Sequence, residues 1–311
     1  MRESDLGPYR LVRRIASGGM AEIFAARRVG EAGFVRPVAI KRLWPELGQH
    51  GEVRRLFQRE AKLLAALNHP GVPQVLELGR EGPHWYIAME LVEGRTLAEL
   101  RSAAGETTPV PVDAALGVGR QLCAVLHHVH ERRDGAGRPL GIVHCDVTPD
   151  NVLVTAEGIV KLVDFGVARS GADPEPPTRV RGTLAYMAPE QITGEPPDRR
   201  SDLFAVGALL YEMTTGRRLR QGSDVEVMTR AVEQDVPPPS AHRDDYPPEL
   251  EELVMACLAR DPDRRPPHAR ALSAKLASVG RAGGGVADGE AVAPWSLRCA
   301  QRALGGGDAS C

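Results

Sequence analysis

The run Asp202-Leu-Phe-Ala-Val-Gly-Ala-Leu-Leu-Tyr is apolar on nearly every side of a helix. A helix without a polar face has to be enclosed by other elements, so the chain must supply a lobe of helices thick enough to surround it. Helical periodicity supplies them: Thr96–Ser102, Val112–His130, Leu250–Leu258 and Ala269–Val279 read as helices. The N-terminal part reads differently. Tyr9 to Ile15 alternates apolar and basic residues and runs into IASGGMAEIF, a strand, a glycine-bearing turn and a second strand. VAIK at 38–41 closes a β-branched run, and VPQVLEL and HWYIAMELV read as two more strands. A length of 311 residues is long for one core and short for three. The expected fold class is therefore α+β and bilobal, with a small antiparallel sheet lobe carrying one helix and a larger, mainly helical lobe.

The stretch IVHCDVTPDNVLVTAEGIVKLVDFG, residues 142–166, carries the chemistry. His144, Asp146, Asn151 and Asp164 stand in the pattern His-x-Asp-x4-Asn followed by Asp-Phe-Gly. At these residues the chain resembles the eukaryotic-like serine/threonine protein kinases of bacteria, and the resemblance runs from about Tyr9 to about Val279. Phosphoryl transfer needs a carboxylate to orient a hydroxyl and accept its proton, and oxygen ligands to hold Mg²⁺ against the ATP phosphates. Asp146 suits the first task; Asn151 and Asp164 suit the second, as metal ligands.

Lys41 and Glu60 extend the pattern. Val53, Leu56, Phe57, Leu63, Leu64 and Leu67 recur at helical spacing, and Glu60 falls on the same inward stripe. An unpaired inward carboxylate costs several kcal/mol, and Lys41, projecting from a strand, is the cation the resemblance provides. The resemblance implies that this pair holds the α- and β-phosphates. It also implies a nucleotide site drawn from Ile15, Gly18, Gly19, Ile23, Ala39, Lys41, Met89, Glu90, Val92, Leu153 and Asp164, with Met89 behind the adenine and the backbone of Glu90 and Val92 at its edge. The glycine pattern is reduced to Ala16-Ser-Gly18-Gly19-Met-Ala21, with alanine at its first and third glycine positions, and alone it reads as a hairpin turn. Leu64, Val75, His144 and Phe165 are expected to stack as an apolar column.

Further along, the loop 164–190 is rich in Pro, Gly and charge, and GTLAYMAPE resembles the serine/threonine form of the peptide-positioning segment, with Thr183 expected near Asp146. The family pattern pairs Glu190 with Arg265 in a buried bridge and uses Asp202 to accept hydrogen bonds from the catalytic-loop backbone. His127, His128 and His130 have no acidic or cysteine partner at metal-ligand spacing and read as a charge cluster at a helix C-terminus.

The chain departs from the family at two positions. Thr148 replaces a lysine that sits near the transferring phosphate; losing one such donor costs about 2.7–4 kcal/mol where a stabilising donor has been deleted elsewhere. Thr148 is kept among the catalytic positions because it can still give a hydrogen bond. Cys145 replaces the arginine that clasps an activation-loop phosphate, and a thiol offers neither the charge nor the fork of donors. Independence from phosphorylation of Thr178 is expected, unless Arg169, Arg179 or Arg181 takes over the contact.

The composition is that of a globular protein, with 42% hydrophobic and 26% charged residues, and the formal net charge of −2 points away from nucleic acid and membrane surfaces. No window approaches the roughly 18 apolar residues of a membrane span, and the N-terminus lacks a signal-peptide core, so a cytoplasmic location is expected. The five cysteines lack CxxC pairing and read as reduced thiols. The expected organisation is a kinase domain over 1–279, with an N-lobe of about 9–91 and a C-lobe of about 92–279, and a flexible Gly/Ala-rich tail over 280–311. Within the tail Pro294–Leu304 could form one short helix, with Trp295 and Leu297 available to dock on the kinase or a partner.

The expected function is ATP- and Mg²⁺-dependent phosphorylation of serine and threonine hydroxyls of proteins in bacterial signalling, with Mn²⁺ as the alternative ion. The alternative is a catalytically weak or inactive kinase domain acting as a nucleotide-gated binding or scaffold module. A small-molecule phosphotransferase fits the APE segment and the Asp202 helix less well.

Overall fold

The computed structural model describes residues 5–166, 168, 184–282 and 288–304, and the chain divides into two compact units, Met1–Glu93 and Gly94–Cys311.

The first unit is a six-stranded antiparallel sheet with two helices. Its strands are β1 (Asp5–Leu6), β2 (Tyr9–Ser17), β3 (Ala21–Val29), β4 (Val35–Leu43), β5 (Val75–Glu81) and β6 (His84–Glu90), in the order β1-β2-β3-β4-β6-β5. Between β4 and β5 lie α1 (Pro45–Gly48) and α2 (Gly51–Ala65). Strand alternation sends Val38 and Ile40 to one face, where they pack with Leu6, Tyr9, Leu11, Phe24, Tyr86 and Ala88. Leu43 and Ile87 go to the other face, where Phe57 and Ala61 of α2 cover them. The inward stripe on α2 is narrower than its apolar residues suggest: Phe57, Glu60, Ala61 and Leu64 are buried, whereas Leu56 is 45% exposed.

The second unit is mainly helical. A three-stranded sheet of β7 (Gly94–Thr96), β8 (Val152–Thr155) and β9 (Val160–Leu162) accompanies α3 (Leu97–Ala104), α4 (Val112–His130), α5 (Pro189–Thr193), α6 (Arg199–Thr215), α7 (Asp224–Glu233), α8 (Pro248–Cys257), α9 (Ala269–Ala282) and α10 (Asp288–Leu304). Helix α3 starts at a capping box, Thr96 with Glu99, one residue inside its expected start. Helix α6 is the enclosed one: every residue from Ser201 to Thr215 is buried, with α4, α8 and α9 packed around it. It ends at Gly216, where φ is 70° and a Cβ would lie 2.1 Å from the Thr107 carbonyl, so only glycine fits.

The C-terminal segment differs from the expected flexible tail. Residues 288–304 form α10, which packs on α3, α4 and β8 and buries Val292, Trp295 and Cys299. Pro294 lies inside this helix rather than at its start. A proline interrupts one backbone hydrogen bond, and the apolar residues at positions 292, 295 and 299, spaced along one face, offset that loss by burial. Trp295 docks on the chain itself, while Leu297 is 45% exposed. Among the described residues no helix is long and apolar enough to cross a membrane.

Candidate active site

In the first unit, β4 places Lys41 opposite Ile23 of β3 and Ile87 of β6, and places Ala39 opposite Met89. Cross-strand partners share a face, and residues two apart on a strand share it too. Ile23, Ala39, Lys41 and Met89 therefore line the face that α2 covers. From α2, the Glu60 carboxylate receives the Lys41 Nζ at 2.6 Å, and both residues are buried. The expected ion pair is formed. Ile15 occupies an irregularity of β2 between Arg14 and Ala16 and is 44% exposed, and Gly18 and Gly19 form the exposed turn before β3. Glu90 closes β6, its N–H donating to the Gln74 carbonyl at 2.9 Å. Val92 is half-buried just beyond it.

In the second unit the catalytic-loop residues converge. Asp202, at the start of α6, accepts the His144 N–H at 2.9 Å, the Cys145 N–H at 2.8 Å and His130 Nε2 at 2.7 Å. These bonds hold Cys145 in the left-handed region, φ 66°, which a residue with a Cβ enters only when its surroundings impose it. The Cys145 carbonyl is itself held by Gln191 Nε2 at 3.0 Å. The loop then turns so that Asn151 Nδ2 donates to the backbone carbonyl of Asp146 at 2.9 Å and to its carboxylate at 2.8 Å. With its amide nitrogen so used, Asn151 presents Oδ1 away from Asp146, as a ligand to a hard cation requires. Asp164 also has a positive φ, 60°, and its carboxylate accepts the Gly166 N–H at 3.3 Å. Phe165 is buried with its ring edge-on to His144 at 4.5 Å. Burial keeps the His144 imidazole below its usual range, against the pull of Asp202 and Asp164, so the ring is neutral. Leu153 is half-buried on β8, opposite Thr96.

Thr148 is 2% exposed, and its hydroxyl has no hydrogen-bond partner among the described residues. It brings no charge to the loop. Thr178, Thr183, Arg169, Arg179 and Arg181 lie outside the described residues.

His127, His128 and His130 lie in the last turn of α4, at the helix C-terminus as expected. Burial holds His127 and His128 below the ordinary histidine range, disfavouring their protonation, while His130 turns inward to Asp202. The Glu190–Arg265 bridge is present and bidentate, with both N···O distances 2.7 Å.

A cavity of about 740 Å³ opens beside the loop, lined by Pro149 and Asp150, by Leu184 to Tyr186 and by α3 and the α6–α7 connection. At its floor the buried Glu212 carboxylate meets Arg101 and the Tyr186 hydroxyl, with Arg218 at 3.5 Å. Burial and then Glu212 raise the Tyr186 phenol, keeping it a hydrogen-bond donor. Neither Glu212 nor Arg101 stands out in the sequence, since each lies within a helical pattern and they meet from positions 111 residues apart.

The family model for the protein kinase domain matches residues 9–276. MasK of Myxococcus xanthus, named a tyrosine-protein kinase, is 40% identical over 275 residues, covering 87% of this chain and 42% of that protein. PknB of Mycolicibacterium smegmatis, named a serine/threonine-protein kinase, is 36% identical over 280 residues and covers 87% and 43%. The chain thus spans less than half the length of these curated relatives. A double mutant of the kinase domain of Mycobacterium tuberculosis PknI superposes with a TM-score of 0.67 at 26% identity, over 89% of this chain and 97% of that one. With its antiparallel sheet, its helical unit and its Asp202-anchored loop, the chain belongs to the protein kinase domain family, in the eukaryotic-like form found in bacteria.

Proposed function

We propose that this chain is an ATP- and Mg²⁺-dependent protein kinase that phosphorylates serine and threonine hydroxyls in bacterial signalling. The observation that carries the reading is the Asp146–Asn151 pair, held by two hydrogen bonds on a loop that Asp202 anchors from below. The oxygen donors of Asn151 and Asp164 fit a hard divalent cation, and the buried Lys41 ammonium, oriented by Glu60, fits phosphate oxygens. Bound Mg-ATP supplies the phosphoryl group and the divalent charge that neutralises it. Asp146 orients the acceptor hydroxyl and accepts its proton, and the acceptor chain rests in the cavity beside Pro149 and Asp150.

Mg-ATP at a hundredfold excess over Kd should stabilise the protein by about 2.7 kcal/mol, read as a rise in melting temperature. An unchanged melting temperature at millimolar Mg-ATP would count against both an enzyme and a nucleotide-gated module.

Thr148 favours a second reading, a catalytically weak domain whose nucleotide controls binding, because no charge replaces the family's lysine. Incubation with Mg²⁺ and labelled ATP, followed by mapping of modified residues, separates the two. The kinase reading expects phosphoserine or phosphothreonine; persistent absence of label with ATP bound supports the module. The tyrosine-kinase name of the MasK relative makes acceptor identity the finer test. Phosphotyrosine alone would overturn the serine/threonine assignment while leaving the kinase reading in place.

A further inference from the structure

Two carbonyls of the Gly18–Met20 turn are held by one residue that no kinase motif contains. Trp44, just past the end of β4, donates its indole Nε1–H to the Gly18 carbonyl at 3.1 Å and its backbone N–H to the Met20 carbonyl at 3.1 Å. The second bond continues the β3–β4 ladder, in which Ala21 stands opposite Leu43. Pro45 follows, restricting Trp44 to extended backbone, and its φ of −56° and ψ of 131° keep the N–H in register. Close behind the turn, the buried Glu22 of β3 takes Arg14 of β2 at 3.1 Å and Arg42 of β4 at 2.8 Å, so the three strands approach the turn as one body. Burial would raise the Glu22 carboxyl, but the bonds from Arg42 and Arg14 outweigh it and keep the group charged.

The peptide plane gives these bonds a consequence. In a planar trans peptide the C=O of one residue and the N–H of the next point in opposite directions. Fixing the Gly18 carbonyl toward Trp44 therefore directs the Gly19 N–H away from it, whereas Ala21, whose carbonyl accepts the Gly18 N–H at 2.9 Å, turns its own N–H back across the hairpin toward β2. A Cβ built on Gly19 would meet nothing within 4 Å, and the residue is exposed, so there is open space around it. A backbone N–H held in one direction beside open space suits an oxyanion. Resting on the ATP reading above, we infer that Trp44 is a positioning residue for nucleotide phosphate: it fixes the Gly18–Gly19 peptide plane and with it the direction in which the turn presents the Gly19 N–H.

The test uses the full chain, with Trp44→Phe removing the indole donor while keeping the aromatic ring. Dissociation constants for Mg-ATP and for adenosine are measured on both proteins. Loss of one net hydrogen bond's worth of positioning predicts an ATP affinity about three- to tenfold weaker, with adenosine affinity unchanged, since adenosine has no phosphate to meet the turn. Trp44→His, which retains a ring N–H, should recover part of the loss. Equal weakening for ATP and adenosine would reveal a merely structural role and overturn the inference. So would an unchanged ATP affinity. Failure of wild type to bind ATP would instead defeat the ATP reading, and this inference with it. Should Trp44→Phe not fold, wild type labelled with 5-fluorotryptophan provides the second readout: of its three tryptophan resonances, that of Trp44 should move with Mg-ATP and stay with adenosine. Movement with both ligands, or with neither, would refute the assignment.

Discussion

Asp146→Asn should reduce phosphoryl transfer by about 10²–10⁴-fold, the range that removal of a positioned acid–base group produces, while leaving Mg-ATP affinity nearly unchanged. The substitution is nearly silent structurally. Asp146 holds Asn151 by accepting its Nδ2 on the carboxylate at 2.8 Å and on the backbone carbonyl at 2.9 Å, and an asparagine side-chain oxygen accepts as well as a carboxylate oxygen. The backbone N–H of residue 146, which donates to His144 Nδ1 at 3.2 Å, is untouched. What disappears is the negative charge and the ability to take a proton from the acceptor hydroxyl. Lys41→Met gives the contrasting arm: it leaves Glu60 buried without its 2.6 Å cation and should weaken transfer through ATP positioning, raising KM for ATP. Steady-state kinetics with a peptide acceptor, alongside thermal shift with Mg-ATP, separates these effects. Equal turnover by wild type and Asp146→Asn would remove the proton-accepting role from Asp146.

The parts of the site legible in the sequence are those fixed by local periodicity or by short spacing. Glu60 announces itself because a charged residue on an inward helical stripe needs a cation, and Lys41 meets it at 2.6 Å. Asp202 is legible through the resemblance, whose pattern has it accept hydrogen bonds from the catalytic-loop backbone, and it accepts those of His144 and Cys145. Trp44 carries no such signal, since its bonds reach across a turn to carbonyls, which leave no trace in residue type. The Glu22 cluster is hidden for a related reason. Arg14, Glu22 and Arg42 look like solvated strand residues until the register sets Glu22 against Arg42. Helix α10 is a different case, because the signal was present but outweighed. Residues 292, 295 and 299 mark an inward stripe, yet the flanking glycines and Pro294 point to a flexible segment with a helix beginning at the proline. Burial of Trp295 and its neighbours decides otherwise.

Arg265→Met should destabilise the protein by about 3–5 kcal/mol, as breaking a buried ion pair from one side does. For a domain of this size each kcal/mol corresponds to roughly 2–4 °C, so the melting temperature should fall by about 6–20 °C. The size of the effect follows from how fully Arg265 is used. Its Nε donates to the Ala259 carbonyl; Nη1 donates to Glu190 Oε1 and the Arg200 carbonyl; Nη2 donates to Glu190 Oε2 and the Arg260 carbonyl. All five guanidinium N–H donors are thereby satisfied, and the guanidinium lies over the Phe204 ring at 5.1 Å. Methionine fills much of the volume but leaves the Glu190 carboxylate buried without a cation, with the Ser201 hydroxyl at 2.6 Å and a backbone N–H as its remaining donors among the described residues. The pH dependence gives the effect a second signature. Burial would raise the Glu190 carboxyl, but the bonds from Arg265 and Ser201 outweigh it and hold the group below its ordinary 4.5. A depressed carboxyl contributes stability that is present above the unfolded value and is lost as pH falls through the folded one. Wild type should therefore lose this contribution below about pH 4.5, whereas Arg265→Met has already lost most of it. The difference in melting temperature between the two proteins should narrow as the pH is lowered from 7 through 4. Thermal unfolding followed by circular dichroism across that range measures it, with Glu190→Gln and the double variant completing a cycle in which the two losses are less than additive. A change in melting temperature under 2 °C at pH 7, or a difference that stays constant down to pH 4, would show that the bridge does not hold this unit together.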